Sequence, residues 1–146
     1  TRIIIDSKAR IPLNSRIIES SNKIQTIIAV THDASSRKIK EIQKKGAQVL
    51  VYGNGKVDLR NLFQQLEKMG LKKIIVEGGG EINWSVLKLG LVDELVVTIS
   101  PVVIGGRDAI TLVEGKGFTN ISDGIKMELS NKIIQNKNEI VLFYKL

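Results

Sequence analysis

Three consecutive glycines are the feature of this chain with the clearest chemical meaning. Gly78, Gly79 and Gly80 lie between the apolar residues 74–76 and the segment 81–89. The apolar run is typical of a buried strand, and the following segment is typical of a helix. Glycines at such a junction permit a tight turn and the close approach of a ligand. The free N–H groups of the helix start then favour an anion such as phosphate.

A carboxylate stands beside these glycines. Glu77 comes directly before them, at the end of the predicted strand. The pattern therefore indicates a nucleotide or sugar-phosphate site with one polar anchor. A glycine run alone does not distinguish a ligand site from a turn that binds nothing. A tight strand-to-helix turn without a ligand is therefore the alternative.

The composition narrows the chemistry that the chain can perform. The 146 residues are 42% hydrophobic, with no cysteine and one histidine. That length is enough for one domain with a sizeable core. Without cysteine, disulfides, thiolate catalysis and cysteine-ligated metals are excluded. Because His32 is alone, we predict no metal site and no catalytic side chain.

The compartment and partners can also be predicted. No apolar stretch is long enough to cross a membrane, and the first six residues do not resemble a signal peptide. We expect a cytoplasmic protein.

The net charge of +7 comes from lysines spread along the chain, and aromatic residues are only 4%. That pattern predicts a solvated surface that attracts phosphate ligands, with no nucleic-acid and no membrane partner.

Strands and helices alternate along the chain. Apolar runs predict strands at residues 2–5, 24–30, 48–52, 73–76 and 94–100. Ser35 or Ser36 and Asp58 are predicted helix caps, and the third helix covers about 82–89. Residues 125–135 and 139–146 predict a hairpin. We therefore predict an α/β fold of three layers, α/β/α, in one domain over residues 1–146, with a mostly parallel sheet and a C-terminal antiparallel hairpin.

Ligands of open α/β sheets bind at the carboxyl ends of the strands. Four predicted strand ends carry polar or glycine residues. They are Asp6-Ser7, Thr31-His32, Gly53-Asn54 and Glu77 to Gly80. We expect these four ends to converge on one edge of the sheet.

Four segments of the chain resemble those of a known reductase family. They are Arg2 to Ser7 with Arg10-Ile11-Pro12, Val76 to Trp84, Gly90 to Leu95, and Ser100 to Gly106. In this order and spacing they are similar to the reductase of riboflavin biosynthesis that acts on 2,5-diamino-6-ribosylamino-pyrimidinone 5′-phosphate. They are also similar to the C-terminal domain of the bacterial bifunctional deaminase/reductase.

The resemblance implies a dihydrofolate-reductase-like fold, NADPH as cofactor, a phosphorylated pyrimidine as substrate and a homodimer. It also implies hydride transfer to C1′ of the ribosylamino group, which gives a ribitylamino product. Positions that match cofactor contacts of the family are Asp6, Ser7, Lys8, Ala9, Asn54, Gly78, Gly79, Gly80, Glu81, Ile82 and Asn83. Glu77 matches a substrate contact.

Other interpretations of these residues remain open. Asp6 and Ser7 could form a strand-terminating turn that bonds its own backbone, and Asn54 could serve a glycine-assisted turn. Glu77 could be a solvated acid, and Trp84 is expected in packing. For the whole chain, the alternatives are a non-catalytic nucleotide-binding or dimerising module, or another pyridine-nucleotide reductase on the same fold.

One departure from the family concerns the start of the chain. Family members carry about half a domain before the strand that begins here at Arg2. That part contributes to the nicotinamide and substrate pockets. We therefore expect a chain that lacks the N-terminal part of the family domain, with exposed apolar surface, self-association and little turnover alone.

Overall fold

The computed structural model describes all residues from 1 to 146. It contains six β-strands, four α-helices and one 3-10 helix. They divide into two compact units, residues Thr1–Ile74 and Ile75–Leu146, called here the N-terminal unit and the C-terminal unit. No helix combines the length and the apolar character that a membrane span requires.

A three-stranded parallel sheet organises the N-terminal unit. Its strands are β1 (Arg2–Ile5), β2 (Thr26–Val30) and β3 (Gln48–Val51), in the spatial order β1-β2-β3. The register pairs Ile3 with Ile27 and Ile28 with Val49. Every residue of β2 is buried, as expected for the central strand of a parallel sheet that carries the apolar run Ile27–Val30. These three strands confirm the sequence prediction to within two residues at each end.

Three helices belong to the same unit. They are α1 (Arg16–Glu19), α2 (Ser36–Lys44) and α3 (Leu59–Lys68). The side chain of Ser35 accepts a hydrogen bond from the N–H of Lys38, and that of Asp58 from the N–H of Asn61. Both predicted caps are therefore confirmed. The single turn of α1 was not predicted, because four residues are too few for helical periodicity.

The core of the N-terminal unit lies between the sheet and the helices. Ile28 and Val30 of β2 pack with Ile18 of α1 and Ile42 of α2, and all four are fully buried. Small residues, including Ala9 and Ala47, complete this cluster. Ala9 ties the loop after β1 to the core, so packing positions that loop.

The C-terminal unit combines one helix with an antiparallel sheet. Helix α4 spans Gly80–Lys88. The strands are β4 (Glu94–Ile99), β5 (Glu128–Asn136) and β6 (Glu139–Lys145), in the order β4-β6-β5. The predicted hairpin is confirmed as β5 and β6, with a bulge between Leu129 and Ile133. A 3-10 helix at Ile121–Asp123 precedes β5.

Two sequence predictions are corrected by the structure. The α/β content is as predicted, but the strands form two three-stranded sheets, because β4 pairs with β6 in antiparallel fashion. The strand predicted at residues 73–76 was wrong: no strand lies between α3 and α4. Its apolar residues have β propensity, but a strand also needs a hydrogen-bonding neighbour. Ile75 is instead 87% exposed.

Substitution of Ile28 tests the core. Because Ile28 is fully buried, Ile28→Ala should lower the free energy of unfolding by about 2–5 kcal/mol. Ile24→Ala is the matched control, since Ile24 is 47% exposed. Urea denaturation followed by circular dichroism measures both. Equal losses for the two variants would contradict the described core.

Candidate functional site

Hydrogen bonds join the three loops that follow the parallel strands. The backbone N–H and the hydroxyl of Thr31 both donate to the carbonyl of Ser7, at 3.0 and 2.9 Å. The N–H of His32 donates to the carbonyl of Gly53 at 3.0 Å. The carboxylate of Asp33 accepts from the N–H of Gly55 at 2.6 Å. Three of the four predicted strand ends therefore converge at one edge of this sheet.

Thr31 and Asp33 link the loops at this edge by hydrogen bonds. Sequence analysis did not assign this role to them. Thr31 is fully buried, and its hydroxyl satisfies a loop carbonyl that would otherwise be costly to bury. The sequence signal was a polar Thr-His-Asp run directly after the apolar residues Ile27–Val30.

Asp6 accepts hydrogen bonds from the loop that follows it. Its carboxylate accepts a hydrogen bond from the N–H of Ile11 at 2.7 Å, and its carbonyl accepts from the N–H of Ala9 at 2.9 Å. Its side chain is only 10% exposed, with the guanidinium of Arg10 at 3.9 Å. Asp6 therefore closes the turn after β1, and its contact with a cofactor stays a prediction.

The residues that follow Asp6 differ in what they offer to a ligand. Ala9 is buried and adopts a positive φ of 53°, a conformation that few non-glycine residues adopt. Ser7 is half-buried and Lys8 is exposed. Lys8 can therefore present a positive charge at the carboxyl edge of the sheet.

Asn54 is exposed at the tip of the loop after β3. It lies between Gly53 and Gly55, whose φ angles are +81° and +67°. A Cβ at Gly53 would overlap the carbonyl of Lys56 and lie 2.9 Å from the N–H nitrogen of Asp58. Gly53 is therefore required by this turn, which leaves the amide of Asn54 available to a ligand.

The glycine turn of the C-terminal unit opens helix α4. Gly78 has a φ of +93°, and the peptide bond between Gly78 and Gly79 is cis. Gly79 is the N-cap residue and supplies no side-chain hydrogen bond. Its carbonyl accepts from the N–H groups of Ile82 and Asn83, at 2.9 and 3.1 Å. The N–H groups that precede these two, at the helix start, have no partner within the helix.

A segment far along the chain covers this helix start. Residues 112–118, called here the strap, meet α4 at its first turn. The N–H of Glu114 donates to the carbonyl of Gly80 at 3.2 Å, and the side chain of Asn83 donates to the carbonyl of Leu112 at 2.8 Å. Sequence analysis missed the strap, whose only signal was the pair of glycines at 115 and 117.

The strap packs against helix α4 through aromatic side chains. The rings of Trp84 and Phe118 lie 5.1 Å apart in an edge-to-face arrangement. A Cβ at Gly115 would overlap the Trp84 ring, so Gly115 permits the close approach. The ammonium of Lys88 lies 5.7 Å from the Trp84 ring centre. Trp84 therefore serves packing, as its residue type indicated.

The remaining predicted residues of the turn are acidic or apolar. Glu77 and Glu81 are exposed, and Ile82 is half-buried. Glu114 of the strap adds a third carboxylate near the turn. A phosphate at this helix start would therefore be held by backbone N–H groups, since the adjacent side chains are not cationic.

The predicted site residues thus fall into two groups. Asp6, Ser7, Lys8, Ala9 and Asn54 belong to the carboxyl edge of the parallel sheet in the N-terminal unit. Glu77, Gly78, Gly79, Gly80, Glu81, Ile82 and Asn83 form the start of α4 in the C-terminal unit. Each group is locally assembled as the sequence suggested, and their roles toward a cofactor stay predictions.

Comparison with known proteins identifies the family. Residues 1–142 match the model of the RibD C-terminal domain. The chain belongs to the RibD C-terminal domain family. This confirms the resemblance on which the sequence interpretation depended.

Curated relatives of this RibD C-terminal domain carry reductase names. The 2,5-diamino-6-ribosylamino-4(3H)-pyrimidinone 5′-phosphate reductase of Methanothermobacter thermautotrophicus is 39% identical over 140 residues. The match covers 96% of this chain and 63% of that protein. The Aquifex aeolicus protein of the same name is 34% identical over 95% of this chain and 62% of its own length. The chain thus spans less than two thirds of the length of these relatives.

Solved structures share the fold. RibD of Acinetobacter baumannii, in its form 2, matches 99% of this chain and 37% of its own with a TM-score of 0.78 at 23% identity. A pyrimidine reductase-like protein of Corynebacterium diphtheriae matches 98% of this chain and 59% of its own, with a TM-score of 0.76 at 22% identity. These likenesses confirm the α/β fold class.

Gly79 offers a test of the helix start as a phosphate site. Its φ is −68°, and a Cβ there would meet no atom within 4 Å. Gly79→Val should therefore fold but obstruct the N–H groups, and weaken pyrophosphate binding about tenfold or more, a loss of about 1.4 kcal/mol. Gly79→Ala should cause a smaller loss. Isothermal titration calorimetry measures both.

The control for this test lies outside the turn. Gly124 also has a negative φ, of −62°, so Gly124→Ala should leave pyrophosphate binding unchanged. Thermal unfolding separates loss of affinity from loss of structure, since valine is a poorer N-cap than glycine. Unchanged affinity in a folded Gly79→Val protein would contradict the phosphate-site interpretation.

Proposed function

We propose that this chain is the reductase domain of an NADPH-dependent enzyme of riboflavin biosynthesis. It would reduce the ribosylamino side chain of a diaminopyrimidinone 5′-phosphate to ribitylamino. The single observation that carries the proposal is the match of residues 1–142 to the RibD C-terminal domain. The reductase names of the curated relatives support the same reaction.

The residues at the glycine turn fit a nucleotide cofactor. Gly79 supplies no side-chain cap, and a Cβ there would meet no atom within 4 Å. Backbone N–H groups at such a position bind pyrophosphate without a side-chain cation. At the sheet edge of the N-terminal unit, Lys8 and Asn54 are exposed and suit a phosphate and a polar nucleotide group.

The chain's own residues bind and orient rather than react. When bound, NADPH supplies the hydride that reduces C1′ of the substrate. The exposed carboxylate of Glu77 would accept hydrogen bonds from the amino groups of the pyrimidine or from ribose hydroxyls. Such contacts contribute by positioning the reacting carbon. No side chain of this chain is assigned a covalent or acid–base role.

Hydride transfer tests the reaction directly. NADPH deuterated at the nicotinamide C4, incubated with the pyrimidinone phosphate and this chain, should give a deuterated ribitylamino product by mass spectrometry, in low yield because little turnover is expected of the chain alone. The Methanothermobacter relative is the positive control. NADPH should bind more tightly than NADH, because its additional phosphate meets a chain of net charge +7. Cofactor binding without deuterium transfer would favour a non-catalytic nucleotide-binding module instead.

We also propose that the chain forms a homodimer. The side chains of Val102, Val103 and Ile104 are consecutive and are 70, 97 and 91% exposed. Apolar runs of this kind on a surface are typical of association sites. A second copy of the chain is the proposed partner, as the family resemblance implies.

Substitution of Val103 tests the dimer. Val103→Asp adds a charge to the apolar run, so it should shift the protein from twice the mass of one chain to the monomer mass. Asn138→Asp adds the same charge at the exposed β5–β6 turn and should leave the dimer intact. Light scattering after size-exclusion chromatography measures both. A parent protein that is already monomeric at high concentration would contradict the proposal.

A further inference from the structure

Asn54 and Gly55 form the only Asn-Gly pair of the sequence. In such a pair the backbone nitrogen of the glycine can attack the side-chain carbonyl carbon of the asparagine, because glycine has no Cβ to obstruct the approach. A C–N bond forms and closes a succinimide ring. The C–N bond of the amide breaks, and ammonia leaves with the proton of the glycine N–H. Water then opens the ring to aspartate or isoaspartate, so a neutral side chain becomes negative.

The loop after β3 leaves this pair accessible. Asn54 and Gly55 are both exposed, and a Cβ on Gly55 would meet no atom within 4 Å. The loop is held one residue earlier, where the N–H of His32 donates to the carbonyl of Gly53 at 3.0 Å. Water can therefore reach the Asn54 side chain while the sheet stays folded.

One hydrogen bond involves the attacking atom itself. The N–H of Gly55 donates to the carboxylate of Asp33 at 2.6 Å. The nitrogen must lose its proton to attack, and a hydrogen bond to a carboxylate favours the protonated form. The negative charge of Asp33 also opposes a second negative charge on this nitrogen. The bond must therefore open before the ring can close.

We propose that Asn54 is a site of spontaneous deamidation and that Asp33 slows the reaction by holding the N–H of Gly55. Water is the only co-reactant. The rate then depends on the fraction of molecules in which this hydrogen bond is open. Asp33 and Gly55 are 22 positions apart in the chain, so the protection exists only in the folded N-terminal unit.

The consequence for a cofactor rests on the proposed function. Asn54 is proposed to contact a polar group of the nucleotide, at the edge where Lys8 is exposed. Deamidation would place a negative charge there, which repels the phosphates of NADPH. We therefore expect the affinity for NADPH to fall as the protein ages.

The first arm of the experiment measures deamidation by mass spectrometry. The folded chain is incubated for several days in mildly alkaline buffer and digested with trypsin, which releases residues 46–56 with Asn54 as their only asparagine. Asp33→Ala should raise the rate at Asn54 about 3–10-fold, the range that the loss of one exposed hydrogen bond allows. Asp33→Asn keeps an acceptor oxygen without the charge, so its rate should be intermediate.

Two controls separate a local effect from unfolding. Asp108→Ala removes a carboxylate from an exposed position of the C-terminal unit and should match the parent. Asn14, which precedes Ser15 on a separate tryptic peptide, should react at the same rate in every variant. Equal rates at Asn54 in the parent, Asp33→Asn and Asp33→Ala overturn the proposal, as does the absence of deamidation at Asn54 in all three. An equal rise at Asn14 and Asn54 also overturns it, because the cause would then be unfolding.

The second arm measures the cofactor. Asn54→Asp represents the deamidated protein and should bind NADPH about 2–5-fold more weakly by calorimetry, the range expected for one exposed charge. Asn138→Asp adds the same charge at the β5–β6 turn and should match the parent. Unchanged affinity in Asn54→Asp overturns the expected loss of affinity on ageing.

The outcomes separate this inference from the proposed function. Faster deamidation in Asp33→Ala together with no deuterium transfer from NADPH would support the role of Asp33 and contradict the reductase. Deuterium transfer with equal deamidation rates in the parent and Asp33→Ala would support the reductase and contradict the role of Asp33.

Discussion

The close packing at the start of helix α4 depends on the absence of side chains at its glycines. Gly80 makes room for Glu114, and Gly115 makes room for Trp84. Because Gly79 provides no cap, the helix start keeps backbone donors that another group can use. The glycines thus permit both the close packing of the strap and a helix start without a side-chain cap.

In the N-terminal unit, hydrogen bonds and a buried strand fix the positions of the loops. Its three loops are joined by hydrogen bonds to Ser7, Gly53 and Asp33, and its central strand is wholly buried. Buried polar groups such as the Thr31 hydroxyl tolerate few alternatives, because an unpaired donor is costly. Lys8 and Asn54 therefore project from a well-defined edge, whereas Asp6 is used to build that edge.

Much of the local structure was predictable from the sequence. The caps Ser35 and Asp58 depend on hydrogen bonds to residues three positions along the chain, and the apolar runs of the strands are visible in the local sequence. The predicted strand at residues 73–76 failed, because its apolar residues express a β preference but specify no neighbour. For the site, the sequence identified the glycine turn but not the hydrogen bond between Asn83 and the strap.

The sequence by itself determined most of the helices and strands, their caps and the family. Only the tertiary structure decided that β4 pairs with β6, that Asp6 closes its own loop, and that Glu114 covers Gly80. The reason is the distance along the chain. Asn83 and Leu112 are 29 positions apart, and no capping rule or periodicity relates residues so far separated. Such contacts depend on how packed surfaces fit together in space.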